Sequence, residues 1–458
     1  TKGTLTCGHP DTVFTSVCID SRQVTPHTLF VPLPGARTNG HAHISAAVEH
    51  GAAGFLFSRK FRIVPPDGAV GINVDDPLTA LQDLATWYRR QLPATVIGIA
   101  GSNGKTTTKE FMAQVFTGQR PTLATQGNLN NHIGLPLTVL RATPEDVFLI
   151  LEMGTSGPGE LATLCRFAQP HIGVITTIAE EHTETLKDLD GVLAAETELI
   201  TALPADGIAI VNGDDPALLT AVRRQTQCRI VTFGKSTSNH LRASNIQVSR
   251  KGTSFQLYTR DQLRPMQLKL IGSHFVLAAL ATIATAVESG LDMTAACTVL
   301  QTAHGAPHRL AVVEVPALQL TILDDFYNAN PASMYHAILT ANTIRAANER
   351  LILVLGDMLE LGNISKQRHQ EIGAYIAQLA PPPDVVVTIG QYAQPLAELA
   401  AQANIPVHVF PDAQAAAPRV LALVRQTENP QLMLIKGSRG VHLEQIVEPL
   451  VEQIRVQA

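Results

Sequence analysis

Short, nearly unbroken apolar runs, each followed by a polar loop and a helical stretch, recur through two long blocks of the chain. The first block carries VIGIA (96–100), VFLILEM (147–153), IGVITTI (172–178) and GIAIVN (207–212). The second carries TILDD (321–325), RLILVLG (350–356), DVVVTIG (384–390), PVHVF (406–410) and QLMLIKG (431–437). A strand that is apolar on both faces must be covered on both faces. That condition belongs to parallel strands sandwiched between helices, so each block predicts a doubly wound α/β sheet.

At 458 residues the chain is too long for one core. We divide it into three domains: 1–92, 93–306 and 307–458. The first has short strands (TLFVPL, GFLFS, AVGINV), a helix around 43–50 and another near 78–91. QLPAT then reads as a linker. In the second, the P-loop-type parallel sheet is followed by an antiparallel meander over 241–271 and helices near 274–289 and 294–302. HGAPHR is a second linker, and the third domain is Rossmann-like. The linkers near Pro93 and Pro307 are candidate hinges.

The net charge of −5 with scattered basic residues argues against a nucleic-acid partner. Five widely spaced cysteines without a CxxC pair argue against a zinc knuckle or a disulfide framework, and fit the reducing cytoplasm. No apolar signal region opens the sequence, and no apolar run reaches membrane-spanning length. A cytoplasmic, monomeric protein with no membrane partner is expected.

The chemistry concentrates at strand ends. VIGIA runs into GSNGKTTTKE, where Gly101, Ser102, Asn103 and Gly104 form a loop at a helix start. Backbone N–H groups and the helix dipole converge there on an anion. Lys105 can reach the β- and γ-phosphates of ATP, Thr106 can ligate Mg2+, and Thr107 continues the turn. A strict G-x4-G-K-[ST] motif needs glycine at 99, where Ile99 stands. Glu152 ends the strand VFLILEM, at the edge where open α/β sheets bind ligands, and can share Mg2+ with Thr106. His182 follows another strand end and becomes a second metal ligand if its loop lies beside Glu152. Asn128, Asn130 and Asn131 suit either a capped loop or recognition of a polar substrate. In the third domain, Asp324 and Asp325, LGDMLELG and IKGSRG form three polar clusters at one sheet edge, a surface suited to a ligand.

Together these stretches resemble the Mur ligases, ATP-dependent amide-forming enzymes of peptidoglycan synthesis. GSNGKTT is similar to the family's phosphate loop, which also departs from the strict spacing. IDSRQVTPHTLFVPLPGARTNGHAHISAAVEHGAAG is similar to a UDP-binding domain in the family. DDFYNANP, LGDMLELG and KGSR point to a member acting on UDP-N-acetylmuramoyl-tripeptide and D-alanyl-D-alanine. The resemblance implies phosphorylation of the tripeptide carboxylate by ATP, then attack by the dipeptide amine. It implies a second Mg2+ at His182, a functional Arg309 and a ribose contact at Asp325. It also implies uracil or diphosphate contacts at Ser21 and Arg22, and an acceptor site at Lys436, Ser438 and Arg439.

Three departures accompany the resemblance. Glu196 stands where the family usually has a carbamylated lysine, and is expected to fill the second metal site directly or through water, making activity independent of CO2. Phe275 and Ala278 replace two asparagines, and Phe275 is expected to stack on adenine. Thr177 replaces a common asparagine. Alternatives are a tripeptide-forming or folylpolyglutamate-type ligase, or a protein that binds nucleotide without ligase chemistry.

Overall fold

Alternation within each apolar run assigns its side chains to two helical layers. In the strand Thr95–Ala100, Ile97 and Ile99 face one apolar cluster, while Val96 and Ala100 face another. The first cluster also holds Phe111 and Val115 of helix Lys105–Thr117 and Phe275 and Ala279 of helix His274–Glu288. The second holds Leu161 of helix Glu160–Ala168 and Leu199 of helix Leu189–Thr201. The computed structural model, which describes residues 1–35, 38–61, 63–64 and 66–452, repeats this logic in each domain. Two positions of the N-terminal stretch quoted above, Ala36 and Arg37, lie outside the described residues.

Three sheets carry the fold. The N-terminal sheet orders its strands Thr4–Cys7, Val70–Val74, Ala52–Ser58, Thr28–Phe30 and Ser16–Cys18, with only the first pair antiparallel. The middle sheet has nine strands. Six run parallel in the order Arg229–Gly234, Ile208–Asn212, Ile172–Ile175, Thr95–Ala100, Phe148–Glu152, Thr122–Ala124. The meander Leu241–Ser249, Gly252–Tyr258, Leu263–Leu268 continues that sheet through a short parallel contact, Phe233 beside Leu241 and Gly234 beside Arg242. The third sheet runs Ala311–Val315, Leu320–Asp325, Gln431–Lys436, Arg350–Gly356, Val385–Ile389, Val407–Phe410, antiparallel only at its first pair. Among the described residues no helix is long and apolar enough to cross a membrane.

Two edge strands lack an apolar run. Thr4–Cys7 is largely exposed, and Ala311–Val315 alternates between half-buried and exposed residues up to the buried Val315, so neither needs two apolar faces.

The two linkers differ. Helix Pro77–Arg89 starts on an Asp76 cap with proline in its first turn. At its end Arg89, 5% exposed, donates to the carbonyls of Leu92, Ala94 and Ala168, each at 3.0 Å. Tyr88 donates to the Ala142 carbonyl at 2.8 Å. The segment around Pro93 is therefore clamped to the middle domain, contrary to the expectation of a hinge there. The linker near Pro307 instead carries two residues in the left-handed region, His308 and Leu310.

Candidate active site

The carboxyl ends of the middle and third sheets face each other across a cleft. Helix Lys105–Thr117 opens onto it without a side-chain cap, behind Gly101 and Gly104 at φ +118° and +88°. Gly101 is required: a Cβ there would stand 2.3 Å from Thr176 Oγ1. Ser102 locks the loop to its neighbour, donating to the Ala179 carbonyl at 3.0 Å and accepting its N–H at 2.9 Å. Thr177, in place of an asparagine, does similar work, accepting the Asn103 N–H and donating to the Asn103 carbonyl.

A polar cavity of about 380 Å3 lies over this helix start, lined by Lys105, Thr106, Asn130, Glu152, Glu181 and His182, with Arg309 from the third domain. Thr106 Oγ1 donates to Glu152 Oε1 at 3.2 Å, and Asn130 donates to the same oxygen at 2.9 Å. Glu152 Oε2 is buried without a hydrogen bond. Burial opposes the Lys105 charge, but Glu181, Glu196 and Glu152 outweigh it and hold the ammonium above its ordinary range. Arg309 lies 4.2 Å from the Tyr327 ring centroid, with Nη2 3.5 Å from Thr106 Oγ1. His182, at φ +49°, pairs through Nδ1 with Glu360 Oε2 at 2.7 Å, and this contact raises its proton affinity.

A second, more apolar cavity of about 480 Å3 adjoins the loop. Phe233, His274, Leu277 and Ala278 line its middle-domain side, and Asp325, Ser333 and His336 its third-domain side. Its size and walls suit a nucleobase and ribose. His274 Nδ1 is buried there without a partner, and burial pushes that imidazole down to about 3, keeping it neutral. Across the cleft, Asn330 of the third domain donates to Asn103 Oδ1 at 3.0 Å.

Several expected residues converge here: Ser102, Asn103, Gly104, Lys105, Thr106, Asn130, Glu152, His182 and Arg309 all line the first cavity. Others do not behave as expected. Phe275 is fully buried against Phe111 and leaves the wall of the second cavity to its neighbour His274, so it is not placed to stack on a base there. Glu196, 1% exposed, accepts the Gly101 N–H at 2.6 Å and lines neither cavity itself, although its carboxyl lies close to the cavity residues Lys105 and Glu181. Asn131 lines the cavity, but its Oδ1 accepts the Ile133 and Gly134 N–H groups just before helix Gly134–Val139. Lys436 also lines the first cavity, but it is 2% exposed and already donates to Asp325 Oδ2 at 2.7 Å and the Asn328 carbonyl at 3.0 Å. Ser438 is likewise engaged, accepting the Leu359 N–H and donating to the Ala329 carbonyl. Asp325 does reach the base cavity, while its Oδ1 accepts the Leu310 N–H.

Asn128 and Arg439 line a third cavity of about 740 Å3 that shares Thr106, His182 and Arg309 with the cleft. The Arg439 side chain is 59% exposed and forms a long ion pair with Glu444 at 3.9 Å. Ser21 and Arg22 sit on the N-terminal domain outside these cavities, Arg22 in a two-pronged pair with Asp20. Sequence reasoning missed Glu181 and His336, and singled out the stretches DDFYNANP and LGDMLELG without naming Tyr327, Asn330 and Glu360 within them. Glu181 was visible as the residue before His182; the others are contributed across the cleft by the third domain.

Comparison with known proteins gives consistent relatives. Residues 13–89 match the Mur ligase family, catalytic domain; residues 99–286 match the Mur ligase middle domain; residues 308–439 match the Mur ligase, glutamate ligase domain. The UDP-N-acetylmuramoyl-tripeptide--D-alanyl-D-alanine ligase of Bacillus subtilis is 37% identical over 98% of this chain and 96% of its own length. A crystal structure of MurF from Acinetobacter baumannii superposes with a TM-score of 0.87 at 29% identity, covering 97% of this chain and 95% of that one. The MurF ligase of Thermotoga maritima, in complex with ADP, superposes with a TM-score of 0.83 at 26% identity, covering 98% and 100%.

Proposed function

The chain belongs to the Mur ligase family, and we infer that it joins D-alanyl-D-alanine to UDP-N-acetylmuramoyl-tripeptide with consumption of ATP. In this reading the ATP γ-phosphoryl group passes to the tripeptide carboxylate, giving an acyl phosphate and ADP. The dipeptide amine attacks the acyl carbon, loses a proton and expels phosphate, leaving an amide. Residues 93–306 hold ATP, residues 1–92 the UDP-linked substrate, and residues 307–458 the acceptor dipeptide.

One observation carries this reading: an uncapped helix start and a buried lysine open onto a cleft closed by a second domain. Phosphoryl transfer needs positioning and charge stabilisation more than covalent help. The first-turn N–H groups and Lys105 would bind the phosphates, and Arg309, held against Tyr327, would face the transferring group. Asp325 and His336 would enclose the nucleoside, and Arg439 would take the acceptor carboxylate as a two-pronged pair.

Magnesium fits at Thr106 and Glu152: both donors are oxygens, and Glu152 Oε2 is a buried carboxylate oxygen without a hydrogen bond. When bound there, the ion would draw charge from the phosphate oxygens.

The test is phosphate release with ATP and Mg2+, adding the UDP-linked tripeptide and D-alanyl-D-alanine separately and together. Release that requires both is expected. Tight ATP binding without release in any mixture would leave a binding protein instead.

A further inference from the structure

An amine that becomes an amide must give up a proton, and a placed base speeds that loss. The third cavity, which carries Arg439, has an imidazole of its own: His308 lines it and neither of the other two. The ring is held from two sides. Its Nδ1 pairs with Asp324 Oδ2 at 2.8 Å, and its centroid lies 4.3 Å from that of Phe326 at an interplanar angle of 31°. The backbone beneath it sits in the left-handed region at φ +58°. Asp324 and Phe326 are buried, whereas the His308 side chain is 38% exposed.

A carboxylate can only accept, so Nδ1 carries the hydrogen and the neutral ring leaves Nε2 bare. Among the described residues Nε2 has no hydrogen-bond partner. Burial pushes the Asp324 carboxyl up and the contact with His308 pulls it back. Asp325, next to Asp324, is held by Lys436. The cavity is also lined by Lys109, Glu110, His182, Arg309, Glu360 and Arg439, with Arg309 lying over Tyr327. Lys109 pairs with Glu110, and His182 with Glu360, so neither carboxylate is free. His182 also lines the polar cavity on the phosphate side.

We propose that His308, oriented by Asp324, is the base that takes the proton from the acceptor amine. This rests on the chain acting as a ligase. As the nitrogen bonds to the acyl carbon, one N–H proton passes to Nε2. The acyl C–O bond breaks with its electron pair on the departing phosphate, and the imidazolium hands its proton to that phosphate. Asp324 is a positioning residue: it fixes which ring nitrogen is bare and stabilises the imidazolium.

The test separates the two halves of the reaction, using the full-length protein with ATP, Mg2+ and the UDP-linked tripeptide. Hydroxylamine, a small amine already neutral in the assay buffer, traps the acyl phosphate as a hydroxamate and loses its proton to the buffer. His308→Asn suits the left-handed backbone. It should form hydroxamate as fast as the unsubstituted protein and lose at least about a hundredfold in kcat with D-alanyl-D-alanine. Ligation by the unsubstituted protein should fall on the acid side as His308 gains a proton, and His308→Asn should lack that limb. Asp324→Asn still accepts from Nδ1, and should move the limb to lower pH because the imidazole loses its carboxylate. That shift decides the case alone if His308→Asn does not fold. Equal losses of trapping and ligation would make His308 a structural part of the linker and overturn the proposal. Undiminished ligation in His308→Asn, or an acid limb that neither variant moves, would do the same. Hydroxamate from the unsubstituted protein alongside any of these results refutes the base alone. No hydroxamate from the unsubstituted protein refutes the ligase reading and this proposal with it.

Discussion

Replacing Lys436 by methionine should destabilise the third domain sharply. The ammonium is 2% exposed and donates to Asp325 Oδ2 at 2.7 Å and to the Asn328 carbonyl at 3.0 Å. Methionine matches the stem but leaves the Asp325 carboxylate buried without its cation. Asp325 retains the Leu310 N–H at 3.1 Å, a single neutral donor. Removing one partner of such a pair costs about 3–5 kcal/mol. For a domain of this size that corresponds to a fall in Tm of roughly 6–20 °C. Calorimetry should detect it in the transition of the third domain. A cycle with Asp325→Asn and the double variant should return a coupling of about 2 kcal/mol or more, because the double variant buries no unpaired charge. A loss below about 1 kcal/mol for Lys436→Met, or a strictly additive cycle, would refute the reasoning. It would return Lys436 to the role of a free cation for the acceptor.

Gly101→Ala should weaken ADP binding by about 5- to 150-fold, since φ +118° and a Cβ 2.3 Å from Thr176 Oγ1 force the loop to move at about 1–3 kcal/mol; calorimetric titration measures it, and unchanged affinity would contradict the close approach. Arg89→Met should cost about 2–4 kcal/mol by leaving three carbonyls without their charged donor; it should also open 90–94 to thermolysin, and a protected segment would mean the clamp is redundant. His369 is fully buried, accepting the Met358 N–H at Nε2 and donating from Nδ1 to the Ser365 carbonyl, and burial lowers its proton affinity below the ordinary 6.5. The unfolded chain therefore binds a proton that the folded one refuses. The His369 contribution to stability is complete above pH 6.5 and declines as pH falls through 6.5 towards its depressed folded value. Tm measured at pH 7.5 and 5.5 should drop more for the parent than for His369→Gln; equal drops would exclude His369 as a source.

The sheets were legible because burial on both faces leaves an unmistakable pattern: Val96–Ala100 and Leu351–Leu355 can be nothing but central strands. Thr4–Cys7 and Ala311–Val315 were not, since an edge strand needs only one buried face. In the cleft, residues on the phosphate loop and adjoining strand ends were readable because loop and strand chemistry is local. Phe275 misled because adjacent helix positions point a quarter-turn or more apart, so His274 lines the base cavity while Phe275 enters the core. Glu196 was readable as a carboxylate near the phosphate loop, but its hydrogen bond to the Gly101 N–H was not, because that partner lies 95 residues away in sequence. Lys436 misled because its partner Asp325 lies 111 residues away in sequence, visible only once their parallel strands are neighbours. Glu360 lay within the LGDMLELG cluster, but its pairing with His182 was hidden, as was His336, because both act on a cleft belonging mostly to another domain.

The base cavity has a floor from one domain and a roof from another: Phe233, His274 and Leu277 below, Asp325, Ser333 and His336 above. Neither domain owns a whole binding site. A nucleotide that touches both acts as a bolt through two plates, adding its own affinity to the contacts that keep them together. The middle domain cut away from the third would hold ADP only as a half-site does, weakly, and calorimetric titration of residues 93–306 against the full chain would expose the difference.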